Sequence, residues 1–265
     1  MSETPFGSSV DEVPLPLAPL ALVVVQVRFE RLASILEEQF IAPFQEAIRD
    51  AYPVMHAEQQ AGIIVTPDGR ISPAPGSNIW RFDERPASWQ VSLAPDFVAL
   101  STPRYTSRQD LLARLAVVLT AAAQHLRVRF CSRLGVRYLD RVTDPALLEQ
   151  LPSLVKPEVL GAAVVELGDP EALRQHQFVD AIYALPGPAE MHARWGVLPG
   201  GTTFDPSVAP AEGPSWVLDL DASMSERPFD APALGAATED LCQRVYRFFR
   251  WAVTDDFLRA HGGRP

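Results

Sequence analysis

Residues 107–142 read SRQDLLARLAVVLTAAAQHLRVRFCSRLGVRYLDRV, and this stretch decides the fold class. Its first part predicts a helix over residues 107–126, because Ser107 and Asp110 form a capping pair and apolar residues recur at the spacing of one helix face. Those apolar residues are Leu111, Leu115, Val118, Leu119, Ala122 and Leu126. Residues 131–142 then alternate, which predicts a strand. A long amphipathic helix therefore leads directly into a β-strand.

The chain before this stretch predicts further strands. Residues 21–30 are rich in valine and predict a buried strand, and apolar residues at helical spacing follow over residues 35–48. Short apolar runs separated by turn residues then predict strands over 61–66, 80–82, 88–93 and 97–101. Strands this close in sequence are expected to pair antiparallel.

The chain after this stretch has the same character. It predicts strands over 162–167, 175–185, 189–198 and 215–220, of which the second and third form a hairpin. Residues 199–214 are rich in proline and glycine and predict an irregular loop. An amphipathic helix is expected to begin near Asp230. Thr254 is expected to cap a short helix that continues it.

These elements indicate an α+β fold of antiparallel sheets packed against long amphipathic helices. A doubly wound parallel sheet is excluded, because it needs a helix between most strands. We expect residues 1–19 to be a flexible segment. Residues 20–145 and 146–265 form two α+β halves, either as similar units or as parts of one domain.

Composition and charge exclude several classes of function. Acidic residues outnumber basic ones by 33 to 23, a net charge of −10 that disfavours non-specific nucleic-acid binding. The apolar run over residues 15–27 is interrupted by two prolines and a glutamine, so no membrane helix is expected. The N-terminus lacks the basic region of a secretion signal, and Cys131 and Cys242 are expected to be reduced thiols. These features predict a cytoplasmic protein.

An arginine-bearing strand is the most unusual feature. Side chains alternate between the two faces of a strand, so the strand over 131–142 has Arg133, Arg137 and Arg141 on one face. If the strand that carries Arg28 is its neighbour, four guanidinium groups would converge and could bind a carboxylate, a phosphate or an acidic partner. The preferred interpretation is a structural face neutralised by carboxylates such as Glu30 and Asp140. Arg137, in the middle of the strand, is the expected exception.

Other polar patterns are weaker. Asp219 and Asp221 share a strand face and are weak candidates for a metal site, although we predict no bound metal and no cofactor. The histidines lack zinc-ligand spacing, and the hairpin predicts an ordinary ion pair between Asp180 and Arg194. No phosphate loop, nucleophile elbow or other catalytic motif occurs.

Six motifs in order resemble a known family. They are VQVRF at 25–29, WRF at 80–82, VSLAPDFVALS at 91–101, LGVRYLDRV at 134–142, WVLDLD at 216–221 and FFRWAVTD at 248–255. Together they look like the sporadically distributed bacterial family of uncharacterised proteins. That family has no established activity, so the resemblance implies no catalytic residue. Its patchy distribution is typical of mobile elements, defence loci and toxin–antitoxin pairs.

Two hypotheses of function follow. The first is a non-enzymatic protein-binding or regulatory component, whose partner is another protein or a second copy of the chain. The second is an enzyme or sensor for a small anionic ligand bound by Arg28, Arg133, Arg137 and Arg141.

Overall fold

A nine-stranded antiparallel sheet with helices forms an α+β fold, as the sequence predicts. The computed structural model describes residues 4–265 except 9, 60–61, 66–70, 75–77, 87, 170, 173, 175 and 206–207. The strand order in the sheet is β2-β5-β6-β7-β1-β8-β11-β10-β9, and β3 and β4 form a separate pair. Residues 61 and 66, the two ends of the predicted strand over 61–66, lie outside the described residues.

The elements have the following bounds. The strands are β1 Leu20–Phe29, β2 Val54–Gln59, β3 Gly62–Val65, β4 Ile71–Ala74, β5 Asn78–Asp83, β6 Gln90–Ala94, β7 Phe97–Thr102, β8 Phe130–Val142, β9 Gln177–Leu185, β10 Ala189–Leu198 and β11 Ser215–Pro228. The helices are α1 Glu38–Ile48, α2 Arg108–Ala121, α3 Pro145–Glu149, α4 Leu151–Leu154, α5 Pro157–Leu160, α6 Ala231–Ala252 and α7 Asp255–Ala260.

The chain divides into two compact units. One comprises Met1–Val23, Val136–Ser223 and Glu239–Pro265, and the other comprises Val24–Gly135 and Met224–Thr238. We call the first the arginine-network unit, after the site described below, and the second the α2 unit. The prediction of two similar sequential halves stays a prediction.

In the α2 unit the stretch that decides the fold behaves as predicted. The Ser107 side chain accepts a hydrogen bond of 3.1 Å from the Asp110 N–H and begins α2. Leu111, Leu115 and the rest of the predicted stripe are buried. A π-helical segment, Ala122–Leu126, continues α2, and Arg127 adopts a left-handed φ of 56° that ends it. The chain can then start β8 after three residues.

In the arginine-network unit β9 and β10 form the predicted hairpin. Leu185 pairs with Ala189, and Gly187 takes the positive φ of 79° that the turn requires. Phe248 of α6 lies against Tyr183 of β9 and Trp195 of β10, with ring centroids 5.7 Å and 6.0 Å away. Aromatic packing therefore holds α6 to the hairpin.

The N-terminal segment has several contacts within the same unit. The ring of Phe6 lies 5.3 Å from that of Tyr183. The N–H of Val13 donates to the Tyr246 hydroxyl at 2.7 Å, and the N–H of Leu17 donates to the carbonyl of His261 at 3.1 Å. These contacts do not test how much residues 1–19 move, so their expected flexibility stays a prediction.

One predicted strand is wrong. The sequence predicts a strand over residues 162–167, but Gly161–Val164 forms a 3-10 turn. Three short helices, α3 to α5, precede it. Each of these helices has proline in its first turn, where the missing N–H costs nothing. Helices of one turn show no readable periodicity, so hydrophobic spacing does not indicate them.

Among the described residues no helix is long and apolar enough to cross a membrane.

Candidate functional site: an arginine–aspartate network

Asp219 is the centre of a charged network on three neighbouring strands. It lies on β11, between Arg137 on β8 and Arg194 on β10. Arg137 donates to both oxygens of Asp219, from Nε to Oδ1 at 2.6 Å and from Nη2 to Oδ2 at 3.0 Å. Arg194 donates from Nη2 to Oδ2. Asp219 is 1% exposed, so two guanidinium groups compensate one buried carboxylate.

A second carboxylate reaches Arg137 from the irregular loop. Asp205 Oδ2 lies 2.6 Å from Arg137 Nη1. Burial lowers the pKa of Arg137, but the bonds and charges of Asp219 and Asp205 outweigh burial and raise it above the ordinary value. Arg137 is therefore a fixed cation that contacts two anions of its own chain.

The same loop covers the other arginines of this face. The guanidinium of Arg194 lies over the ring of Phe204, 5.0 Å from its centroid, a cation–π contact. Phe204 also packs on Phe178, with centroids 5.1 Å apart. Arg141 donates from Nη1 to the carbonyl of Ala209. The loop is therefore held to the arginine face at three points.

Two donors of this network have no acceptor among the described residues. They are the buried Nε atoms of Arg141 and Arg194. A buried donor without an acceptor costs about 1–3 kcal/mol. Each therefore marks a position where an oxygen acceptor would stabilise the structure.

The four predicted arginines fall in two different units. Arg137 and Arg141 lie in the arginine-network unit, whereas Arg28 and Arg133 belong to the α2 unit. Arg28 is exposed and donates from Nε to Gln26 at 3.1 Å. The guanidinium of Arg133 lies over Gly135. Arg137, the residue expected to be left for a ligand, has two carboxylate partners.

Arg194 was not among the predicted site residues, and its predicted ion pair with Asp180 is wrong. The two residues are opposite each other in the hairpin register, yet Asp180 contacts His192 Nε2 at 2.6 Å and Arg194 contacts Asp219. Asp180 has an exposed side chain, whereas Asp219 is buried. A buried carboxylate gains more from a cation than a hydrated one does.

Asp219 and Asp221, the weak candidates for a metal site, both interact with other groups of the chain. Both oxygens of Asp219 accept from guanidinium groups. Asp221 also has an interaction of its own. Across the described part of the chain, no group of three or more histidine, cysteine, aspartate or glutamate side chains could hold a metal ion.

Asp140 is a buried acid that the sequence reading misassigned. It was expected to neutralise the arginines, but it lies at an even position of β8, on the face opposite Arg137. It is 4% exposed. Burial, aided by the nearby charge of Asp219, raises the pKa of Asp140 to about 7. The alternation of β8 carried this signal, because Asp140 follows Leu134, Val136 and Tyr138 at the same spacing.

Both cysteines are buried thiols outside any disulfide, as predicted. Burial raises the pKa of the Cys131 thiol to about 11. The Cys131 thiol therefore stays protonated near neutral pH.

No protein-family model matches the chain, and no curated protein or solved structure matches it either.

Proposed function

We propose that this protein is a non-enzymatic protein-binding or regulatory component that binds a second copy of itself through strand β9. The observation that carries the proposal is the position of β9. It stands last in the sheet order, and among the described residues it pairs with β10 alone. One side of its backbone is thus available for a further strand.

The sequence of β9 lacks the usual protection of a sheet edge. Its nine residues, QFVDAIYAL, include one charged residue, Asp180, and no proline or lysine. Ile182, next to its central residue, is 68% exposed. Natural edge strands normally carry charges, prolines or bulges that prevent pairing with another chain. An apolar edge of this kind is typical of a strand that pairs with a partner.

Self-pairing has one favourable antiparallel register. With Ile182 opposite Ile182 of the second copy, Tyr183 lies opposite Ala181, and Asp180 lies opposite Ala184. Apolar cross-strand pairs stabilise a sheet by about 0.2–1 kcal/mol each. A register centred on Asp180 would instead place two carboxylates together, which is unfavourable. The charge pattern therefore disfavours a two-fold axis at Asp180, and the exposure of Ile182 favours an axis there.

The test is the mass of the protein in solution, measured by light scattering after size exclusion. We expect the wild type to be a dimer at about 100 µM and Ile182→Lys to be a monomer, because an edge lysine opposes strand pairing. Val117→Lys is the matched control, since Val117 is 47% exposed on α2 and should leave the dimer intact. A monomeric wild type, or an Ile182→Lys dimer of equal stability, would overturn the proposal.

Several finer expectations stand beside this proposal. We propose that the chain belongs to the sporadically distributed bacterial family, acts in the cytoplasm and does not bind nucleic acid non-specifically. Its long helices are proposed to be amphipathic and to pack on the sheet, in two related halves. A small anionic ligand is the second candidate function, and the two unsatisfied arginine donors favour it.

A further inference from the structure

The arginine face is occupied by a piece of its own chain. Residues 199–214 contact it through the Asp205 carboxylate, the Phe204 ring and the Ala209 carbonyl. The described part of the loop also has bonds within itself, including the N–H of Gly201 to the carbonyl of Ala211 at 2.8 Å and the N–H of Val208 to the carbonyl of Asp205 at 3.2 Å. The carboxylate of Asp205, by contrast, contacts Arg137 of the sheet.

Two buried Nε donors of this face, on Arg141 and Arg194, have no acceptor among the described residues. An oxyanion bound beside Arg194 would supply one of the missing acceptors.

We propose that Arg137 and Arg194 form a binding site for a small oxyanion, a carboxylate or a phosphate, and that Asp205 occupies this site as a displaceable internal ligand. Asp219 is the fixed part of the site, because it is 1% exposed and holds both guanidinium groups in place. Asp205 is the exchangeable part, because it comes from a loop. Its carboxylate has the same chemistry as the ligand that would replace it.

Displacement sets the affinity. A tethered carboxylate competes at an effective concentration in the millimolar range or above, so an external anion binds the wild type weakly. Asp205→Asn removes the competing carboxylate and leaves Arg137 Nη1 without its anionic partner. Asp205→Asn should therefore bind an oxyanion about tenfold or more tightly than the wild type does, as expected when the competent state is a minor one.

The experiment is calorimetric titration with inorganic phosphate and, separately, with malonate. Asp205→Asn is compared with the wild type and with Asp256→Asn, which neutralises an exposed carboxylate that contacts Arg259 on α7. Tighter binding of either anion by Asp205→Asn alone supports the site, and the preferred anion identifies the ligand class. Arg137→Lys in the Asp205→Asn background should abolish the gain, because lysine lacks the bidentate geometry.

Equal affinity of Asp205→Asn and the wild type, or the same gain in Asp256→Asn, overturns the proposal. A second readout uses the wild type alone. Hydrogen exchange of the amides in the described part of residues 199–214 should rise on addition of the bound anion, and unchanged exchange at saturation overturns the proposal equally. Neither readout depends on β9, so the anion site and the dimer can fail separately.

Discussion

Replacing Asp140 by asparagine should stabilise the protein above pH 7 and leave it almost unchanged near pH 4. Burial raises the pKa of Asp140 from its ordinary value of 3.8 to about 7 in the folded state. The unfolded carboxyl loses its proton near its ordinary pKa, whereas the folded one keeps it until about pH 7. The folded state therefore binds more protons in this window, and its stability falls as the pH rises through it.

The magnitude follows from the size of the shift. About three pKa units at 1.36 kcal/mol each correspond to a loss of up to about 4 kcal/mol between pH 4 and pH 8. Asparagine has almost the same shape and carries no charge, so the variant avoids this loss. Asp140→Asn should exceed the wild type by up to about 4 kcal/mol at pH 8.

The assay is urea unfolding of both proteins from about pH 4 to about pH 8. Asp50→Asn, at an exposed position of the α2 unit, is the control and should follow the wild type. Parallel stability curves for Asp140→Asn and the wild type would refute the reasoning, because they would show that Asp140 binds no extra proton in the folded state.

Two further predictions concern packing. Leu115 is 2% exposed on α2, so Leu115→Ala should lower the free energy of unfolding by about 2–5 kcal/mol; a loss of only a few tenths in urea unfolding would contradict its burial. Cys131 and Cys242 are 1% and 2% exposed, so a thiol reagent should label two cysteines after denaturation and almost none before it. Rapid labelling of the folded protein would contradict the packing.

The sequence predicted those elements whose signal is local and long. The apolar stripe of α2 extends over several turns and begins at the Ser107 cap, and the alternation of β8 extends over several residue pairs. In both elements local propensity and burial therefore agree. The hairpin of β9 and β10 is similar, because its turn lies between two long strands. The one-turn helices α3 to α5 were missed, since four or five residues carry no readable period.

The candidate site could be predicted only in part. Alternation identified Arg137 and Arg141, but the partners of Arg137 depend on strand order. Asp219 reaches it because β11 lies between β8 and β10, although β11 is the last strand in the sequence. Asp205 lies on an irregular loop, whose path no periodicity indicates.

The burial of Asp140 could have been predicted from the sequence. A carboxylate at the spacing of buried residues has either a partner or a raised pKa. Its place among the apolar positions of β8 therefore indicated burial more strongly than its sequence distance from the arginines indicated pairing.

Disulfide crosslinking at β9 tests the proposed dimer most directly. Ile182→Cys places the new cysteine opposite itself in the second copy, and directly opposed residues in antiparallel strands lie about 4.5–5.5 Å apart at Cα, within reach of a disulfide. Ala184→Cys is exposed on the same face, but in this register its copies are about four residues apart along the strands, roughly 13 Å. Dimerisation through β9 predicts a disulfide-linked dimer for Ile182→Cys alone. Equal crosslinking of both variants, or of neither, contradicts it.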